Sequence, residues 1–335
     1  MMKPKLIFVK PIDAPFIQWD EQFLATHFRL KIISQDGARG FRFLIFQLKL
    51  CLILLYQLPA AKGVFVWFAD YHAFFPVLLA RLFGKKSIVV IGGYDATSIP
   101  SLRYGTFYRP LRAILCRYAV RHADLIVPVA EALGRQLLRH TGSIKGELIP
   151  IPTGYDDSKW QFGASKEDLI VTVAAFETES RFKLKGLDFF IRVAQAMPEY
   201  QFVLIGASEK GRLILPSIPA NLQVLNKMPQ PQLAEYYAKA KVYAQFSLSE
   251  GLPNAVCEAM LCGCVPVGCD VGGMRSAIGE TGFLLKSQNL DEAIHSVHAA
   301  IVQSKQIGAQ ARAHVQQHFP EHIRQNQLLE LLGSW

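Results

Sequence analysis

The feature that most limits how this chain can fold is an alternation of short apolar runs with helix-length segments, present in each half of its 335 residues. Residues 6–9, 64–68, 87–91, 125–129 and 148–151 are short, rich in β-branched side chains and bounded by glycine, proline or aspartate, so they read as strands. Helix-length stretches such as 74–83 and 108–122 lie between them. Apolar strands separated by helices predict a parallel sheet covered on both faces. The pattern then restarts, with strands at 169–174, 201–205, 224–225, 242–246 and 265–267 and helices at 186–196, 231–239 and 254–262. Two such sets predict an α/β chain of two Rossmann-like domains. Residues 150–157, rich in proline, glycine and aspartate, form the natural hinge. The expected boundaries are 1–153 for the first domain, 154–318 for the second, and 319–335 for a terminal helix able to pack back on the first.

Composition suits two full cores: 51% of residues are hydrophobic and 19% charged, which excludes a disordered or fibrous chain. The charge is lopsided. Residues 1–155 hold 20 Lys/Arg against 9 Asp/Glu, whereas residues 156–335 hold 16 against 18. A one-sided positive field fits an anionic membrane surface or a merely solubilising face. Nucleic acid has no support, since neither zinc-finger spacing nor an aromatic RNA-recognition pattern is present. Residues 1–14 are broken by Pro4, Pro11 and Asp13 and do not read as a secretory leader. Cys257, Cys262, Cys264 and Cys269 cluster in an apolar stretch, where cysteine behaves as a small buried hydrophobe; no metal site is expected and a reduced, cytoplasmic setting is the plain reading. Residues 41–58 are apolar, but Arg42, Gln47, Lys49 and Gln57 interrupt them. The segment is too broken for a spanning helix of about 20 residues. It is either a core helix or a surface-seated one.

The segment that carries chemistry is 247–263. A strand ends near Phe246, a serine, glycine and proline loop follows, and a helix begins at Pro253 or Asn254, proline being suited to a first helical position. Gly263 stops that helix. The loop aims backbone amides and the positive end of a helix dipole at whatever lies above, which makes a ready anion site. Glu250 in the loop and Glu258 one turn into the helix can line one wall of the same cleft; taken alone, such a pair reads equally as a cap and a solvated surface residue.

The surroundings are more specific. Glu250 and Glu258 form an E-x7-E motif. The run Glu250-Gly251-Leu252-Pro253-Asn254, followed by Glu258-Ala259-Met260, Gly263 and Pro266, resembles the donor site of glycosyltransferase family 4. Residues 149–156 resemble that family's interdomain linker, Arg181 to Lys185-Gly186 its Arg…Lys-Gly signature, and Gly272-Gly273 with residues 279–285 the stretches that follow. The resemblance covers about 149–290 well and the first 148 residues less well. It implies the GT-B fold, two facing Rossmann-like domains with an interdomain cleft. The implied activity is a retaining hexosyltransferase that uses a nucleotide-diphosphate sugar as donor, with no tightly bound cofactor and no metal. By the same resemblance Arg181 and Lys185 grip the diphosphate, four residues apart where five is common, with Lys183 as the alternative. Glu258 accepts hydrogen bonds from ribose hydroxyls, and Glu250 faces the transferred sugar. The loop Gly251, Leu252, Pro253 and Asn254 would help to hold sugar and phosphate through its backbone amides, and the loop up to Met228 frames the base. A departing diphosphate develops negative charge, and fixed cations there lower the barrier without acid–base chemistry.

The first half departs from the family pattern. The loop after the first strand lacks glycine, and Gly92-Gly93-Tyr94-Asp95 stands where a histidine is usual. Asp95 either contacts sugar or acceptor, as a catalytic candidate, or caps the following turn; His72 reads as structural. Arg103, Arg109, Arg112, Arg117 and Arg121 recur among aromatic and aliphatic residues, suited to a helix against anionic lipid or to a solvated face over the core. The expected acceptor is a glycan or lipid-linked precursor of cell-envelope polysaccharide, met at the inner membrane leaflet. Rival readings are an NAD-dependent oxidoreductase, which lacks its G-x-G-x-x-G fingerprint here, a sugar-nucleotide epimerase, and a non-catalytic GT-B partner subunit.

Overall fold

The apolar runs become two parallel six-stranded sheets in the computed structural model, which describes residues 3–35, 40–163 and 165–335. Met1 and Met2, part of the segment weighed as a leader, lie outside the described residues. The chain divides into two units. One comprises residues 1–153 with 322–335, the other residues 154–321.

In the first unit the strands are β1 (Lys5–Lys10), β2 (Arg29–Ser34), β3 (Gly63–Trp67), β4 (Lys86–Ile91), β5 (Leu125–Pro128) and β6 (Glu147–Leu148), ordered β2-β1-β3-β4-β5-β6. Residues 6–9, 64–67 and 88–91 are wholly buried, as a sheet covered on both faces requires. β2 was not legible as a strand because it is an edge: Arg29 and Lys31 alternate with half-exposed aliphatics, and the charges guard the open side. The helix Phe41–Gln57 is surface-seated. Only Leu50 and Leu54 are buried along it, one turn apart on the face that meets the helix Tyr71–Leu82.

The second unit is built the same way from β7 (Glu167–Phe176), β8 (Gln201–Ala207), β9 (Leu222–Asn226), β10 (Ala240–Gln245), β11 (Val265–Cys269) and β12 (Phe283–Leu285), ordered β12-β11-β10-β7-β8-β9. Its core gathers Phe182, Phe189, Phe190, Phe202 and Phe246 with the aliphatics of β7, β8, β10 and β11. Going along the chain, β7, β8 and β9 step towards one edge and β10, β11 and β12 towards the other. The order therefore reverses between β7 and β10. The carboxyl ends of strands at such a reversal are the place where open α/β sheets bind ligands.

The last helix, Glu321–Gly333, belongs almost wholly to the first unit. Arg324 donates from Nε and Nη2 to the two oxygens of Asp20, at 2.8 and 2.6 Å, and from Nη1 to the carbonyls of Ile151 and Pro152. Trp67 Nε1 donates to the same Asp20 carboxylate at 3.0 Å. Both charges are nearly inaccessible to water, at 4% and 6% exposure. Leu328 and Leu332 are fully buried, and the Trp335 ring occupies the space where a side chain on Gly63 would fall. A buried charge whose partner is removed is left desolvated, so Asp20→Ala is expected to lower the stability of this unit by about 3–5 kcal/mol. Urea denaturation checks this, and a loss below about 1 kcal/mol would mean that the pair does not anchor the helix.

Candidate functional site

At the carboxyl end of β7, Thr178 caps the short helix Glu179–Leu184 by accepting a hydrogen bond from the Arg181 amide at 3.3 Å. The helix ends in Lys185 and Gly186, the latter in the left-handed conformation (φ +63°). A Cβ at Gly186 would stand 2.0 Å from the Phe246 carbonyl, so only glycine lets this loop lie against the end of β10. The Leu248 amide donates to the Leu184 carbonyl at 2.8 Å, and Gln288 Nε2 donates to the Phe246 carbonyl, also at 2.8 Å. The Lys-Gly signature is thus the means by which one loop docks on the other.

That docking brings Lys185 to Glu250: Nζ lies 2.6 Å from Oε1, with both side chains largely shielded from water. Gln245 Nε2 donates to the same oxygen at 2.7 Å. Gln245 is held in turn by Tyr243, whose hydroxyl donates to Oε1 of Gln245 at 3.0 Å and accepts from the Val173 amide at 3.2 Å. Arg181 is exposed and makes no ion pair among the described residues, whereas Lys183, the alternative phosphate ligand, is paired with Glu179 on the outer face of its helix. Arg181 is therefore the residue left open to an incoming anion.

On the β10 side the loop runs into the helix Asn254–Leu261. Its first amides lie outside the intrahelical ladder. Its far end closes on Gly263 (φ +81°), with the Cys264 amide donating to the Ala259 carbonyl and the Gly263 amide to the Met260 carbonyl. Leu252 and Pro253 are buried and pin the loop. Gly251 is fixed through its carbonyl, which accepts from the Gly273 amide at 2.8 Å, and Gly272 (φ +55°) packs where a Cβ would stand 1.9 Å from the Glu250 carbonyl. Asn254 Oδ1 accepts from the Tyr155 hydroxyl at 2.7 Å, which ties the helix start to the hinge segment. Glu258 keeps a rim of solvent contact. Among the described residues nothing donates to its carboxyl group, and the packing around it pushes its pKa up to about 8. Met228 is half-buried in the loop after β9, at the same end of the sheet.

The first unit presents less. Asp95 has no exposure, and its carboxylate accepts from the amides of Ala69, Gly92 and Gly93 at 2.9–3.0 Å; burial raises its pKa to about 7 against those bonds. Asp95 thereby braces the turn after β4 against the segment after β3. His72 is also buried, bonded to the Trp67 carbonyl, and burial holds its pKa below the usual value. Among the described residues, no group of three or more His, Cys, Asp or Glu side chains is placed to hold a metal ion.

Tyr243, Gln245, Tyr155 and Gln288 are the site residues that motif reasoning missed. A signal for the first two was present: Lys241, Tyr243 and Gln245 alternate with apolar residues along β10 and so share one face.

Residues 167–302 match the family model described as Glycosyl transferases group 1. A D-inositol 3-phosphate glycosyltransferase of Nocardiopsis dassonvillei is 27% identical over 210 residues, 55% of this chain and 49% of that one. The sulfoquinovosyl transferase SQD2 of Arabidopsis thaliana is 22% identical over 232 residues, 64% of this chain and 45% of that one. The chain thus spans about half the length of these curated relatives. Among solved structures, sucrose-phosphate synthase from Thermosynechococcus elongatus superposes with a TM-score of 0.82 at 13% identity, covering 99% of both chains. HepE from Anabaena, in complex with UDP and glucose, gives 0.74 at 16% identity, covering 99% of this chain and all of that one. At such identities the likeness concerns the fold.

Glu258 sets a pH dependence. Its folded pKa of about 8 lies above its ordinary 4.5, so the folded state binds the extra proton between those values. The group's contribution to stability is complete below about pH 4.5 and is lost as pH rises towards 8. Glu258→Gln is expected to flatten the decline in melting temperature over that window; an unchanged slope would assign the decline to another group.

Proposed function

Residues 167–302 match the family model described as Glycosyl transferases group 1, and from that match we propose that the chain transfers a sugar from a nucleotide-diphosphate sugar to a hydroxyl group. Its fold is GT-B, with two Rossmann-like units. The observation that carries the proposal is the Lys185–Glu250 pair, which joins the loop after β7 to the loop leading into the helix Asn254–Leu261 at the strand-order reversal, with the exposed Arg181 one turn before Lys185.

In this reading Arg181 takes two oxygens of the diphosphate in its planar fork, and Lys185 exchanges Glu250 for a phosphate oxygen. Glu250, still held through Oε1 by Gln245, offers its other oxygen to the hydroxyls of the sugar. Glu258 accepts from the ribose, whose hydroxyls favour the ionised carboxylate that burial disfavours. Gly251, Leu252 and Asn254 offer backbone amides along the loop, and the loop ending at Met228 flanks the base. The bond from the anomeric carbon to the phosphate oxygen breaks, the acceptor oxygen bonds from the same face, and the departing phosphate oxygen takes the acceptor's proton. Retention follows from that geometry. Arg181, Lys185 and the amides stabilise the charge on the leaving group, with no metal assigned to the step.

The acceptor is a glycan or lipid-linked hydroxyl met at an anionic membrane surface, in the making of cell-envelope polysaccharide. The support is the charge of the first half, with its excess of Lys/Arg. An epimerase would need no acceptor, so product formation that depends on an added acceptor separates the two.

Lys185→Ala is expected to cut turnover by about 100-fold or more, and to lower the melting temperature because Glu250 loses its cation, while the chain stays folded at assay temperature. The same purified chain should gain stability from one member of a panel of UDP-, GDP- and ADP-sugars, by mass action. No stabilisation by any of them, or near-normal turnover in Lys185→Ala, would remove the phosphate clamp.

A further inference from the structure

The helix Phe41–Gln57 shows water a face that a freely dissolved protein has no reason to keep. Phe41, Leu44, Leu48, Leu52, Leu55 and Tyr56 are exposed, from 45% at Leu55 to 81% at Tyr56. At 3.6 residues per turn these six form one stripe along the whole helix, opposite Leu50 and Leu54, which face the protein. Arg42 and Lys49, two turns apart, lie together along one edge of the stripe, and the helix has no acidic residue. It packs beside the helix Tyr71–Leu82, which packs beside Pro110–His122, so the three form one layer over the sheet. The neighbours add exposed apolar groups at Leu82, Leu111 and Ile114. No helix among the described residues is long and apolar enough to cross a membrane.

The charge around this layer says what covers it. Residues 37–123 contain 12 Lys/Arg and two acidic residues, Asp70 and Asp95. Asp70 is paired with Arg112 and Asp95 is buried, so neither offsets the field outside. Arg117 and Arg121 donate to the carbonyls of His140 and Thr141, which orders them without neutralising them. Next to Leu82, a shallow recess of about 360 Å³ is lined by Arg81, Lys85, Lys86, His122 and Lys145, and its one carboxylate, Asp124, already bonds the amide and hydroxyl of Ser87. A second copy of the chain would bring this positive field against itself, which disfavours a symmetric dimer through the stripe.

We infer that this layer is a membrane-seating surface: the apolar stripe of the helix Phe41–Gln57 lies in the headgroup boundary of an anionic phospholipid bilayer, and the surrounding Arg and Lys side chains contact the phosphates. The inference rests on the membrane reading above and moves its centre from the arginines at 103–121 to the helix at 41–57. A helix seated flat needs no crossing length, and an apolar stripe with basic edges gains from both burial and charge.

Flotation of the full chain with phosphatidylcholine vesicles, with and without phosphatidylglycerol, tests it. The chain should float with the anionic vesicles at low salt and less so as salt is raised. The triple variant Leu44→Glu, Leu48→Glu, Leu52→Glu should lose about tenfold or more of that partition. Its melting temperature should hold, because all three side chains already face water. In a separate variant, Leu48→Trp, the new indole emission should shift to the blue on anionic vesicles. Equal flotation of the triple variant, or an unmoved indole, would overturn the helical seat and leave the membrane reading standing. A wild-type chain that ignores anionic vesicles would overturn both, with sugar transfer untouched. A dimer in vesicle-free solution that the triple variant abolishes would assign the stripe to a second copy instead.

Discussion

Two loops that leave neighbouring strands are held together by a glycine without a side chain. Gly186 lies against the Phe246 carbonyl in a space that a methyl group would fill, and the Leu184 carbonyl and Leu248 amide close the joint beside it. Lys185, adjacent to that glycine, is thereby carried to Glu250. Gly272 does the same from the other side against the Glu250 carbonyl. The candidate site is a backbone construction first; its charged side chains are placed by contacts that tolerate no substituent.

The same economy explains the resting state of the site. Without a ligand, Lys185 and Glu250 satisfy one another, and Gln245 keeps the carboxylate oriented through Tyr243 and the β7 backbone. A shielded ammonium beside a shielded carboxylate is stable only while paired. Glu258 differs: among the described residues nothing donates to its carboxyl group, and burial raises its pKa. One carboxylate is thus held in an ion pair and the other by packing.

The two units differ in what they offer. The second concentrates polar groups at one end of its sheet. The first buries its one polar candidate, Asp95, under three backbone amides, and puts its distinctive chemistry outside, on a helix layer of exposed aliphatic side chains and arginines. A donor-binding unit must be pre-organised to meet a charged group of fixed geometry. A surface that meets lipid needs only a stripe and a charge, so it can be read from exposure with no reference to any pocket.

Much of this was legible in the amino-acid order. Alternating apolar runs implied parallel sheets, because strands buried on both faces have no polar side to show. Glu250, Glu258, Arg181 and Lys185-Gly186 stood out because their order and spacing match a known motif. What sequence could not decide was everything set by neighbours far away along the chain. β2 looks like a loop because it is an edge, and the helix at 41–57 looks equally like core or surface until the sheet beneath it is laid down. Arg181 and Lys183 are equivalent until Glu179 claims one of them. Local pattern determines which elements form; only the tertiary structure decides which of their faces meet, since hydrogen bonds, burial and pKa depend on atoms brought close from tens of residues away.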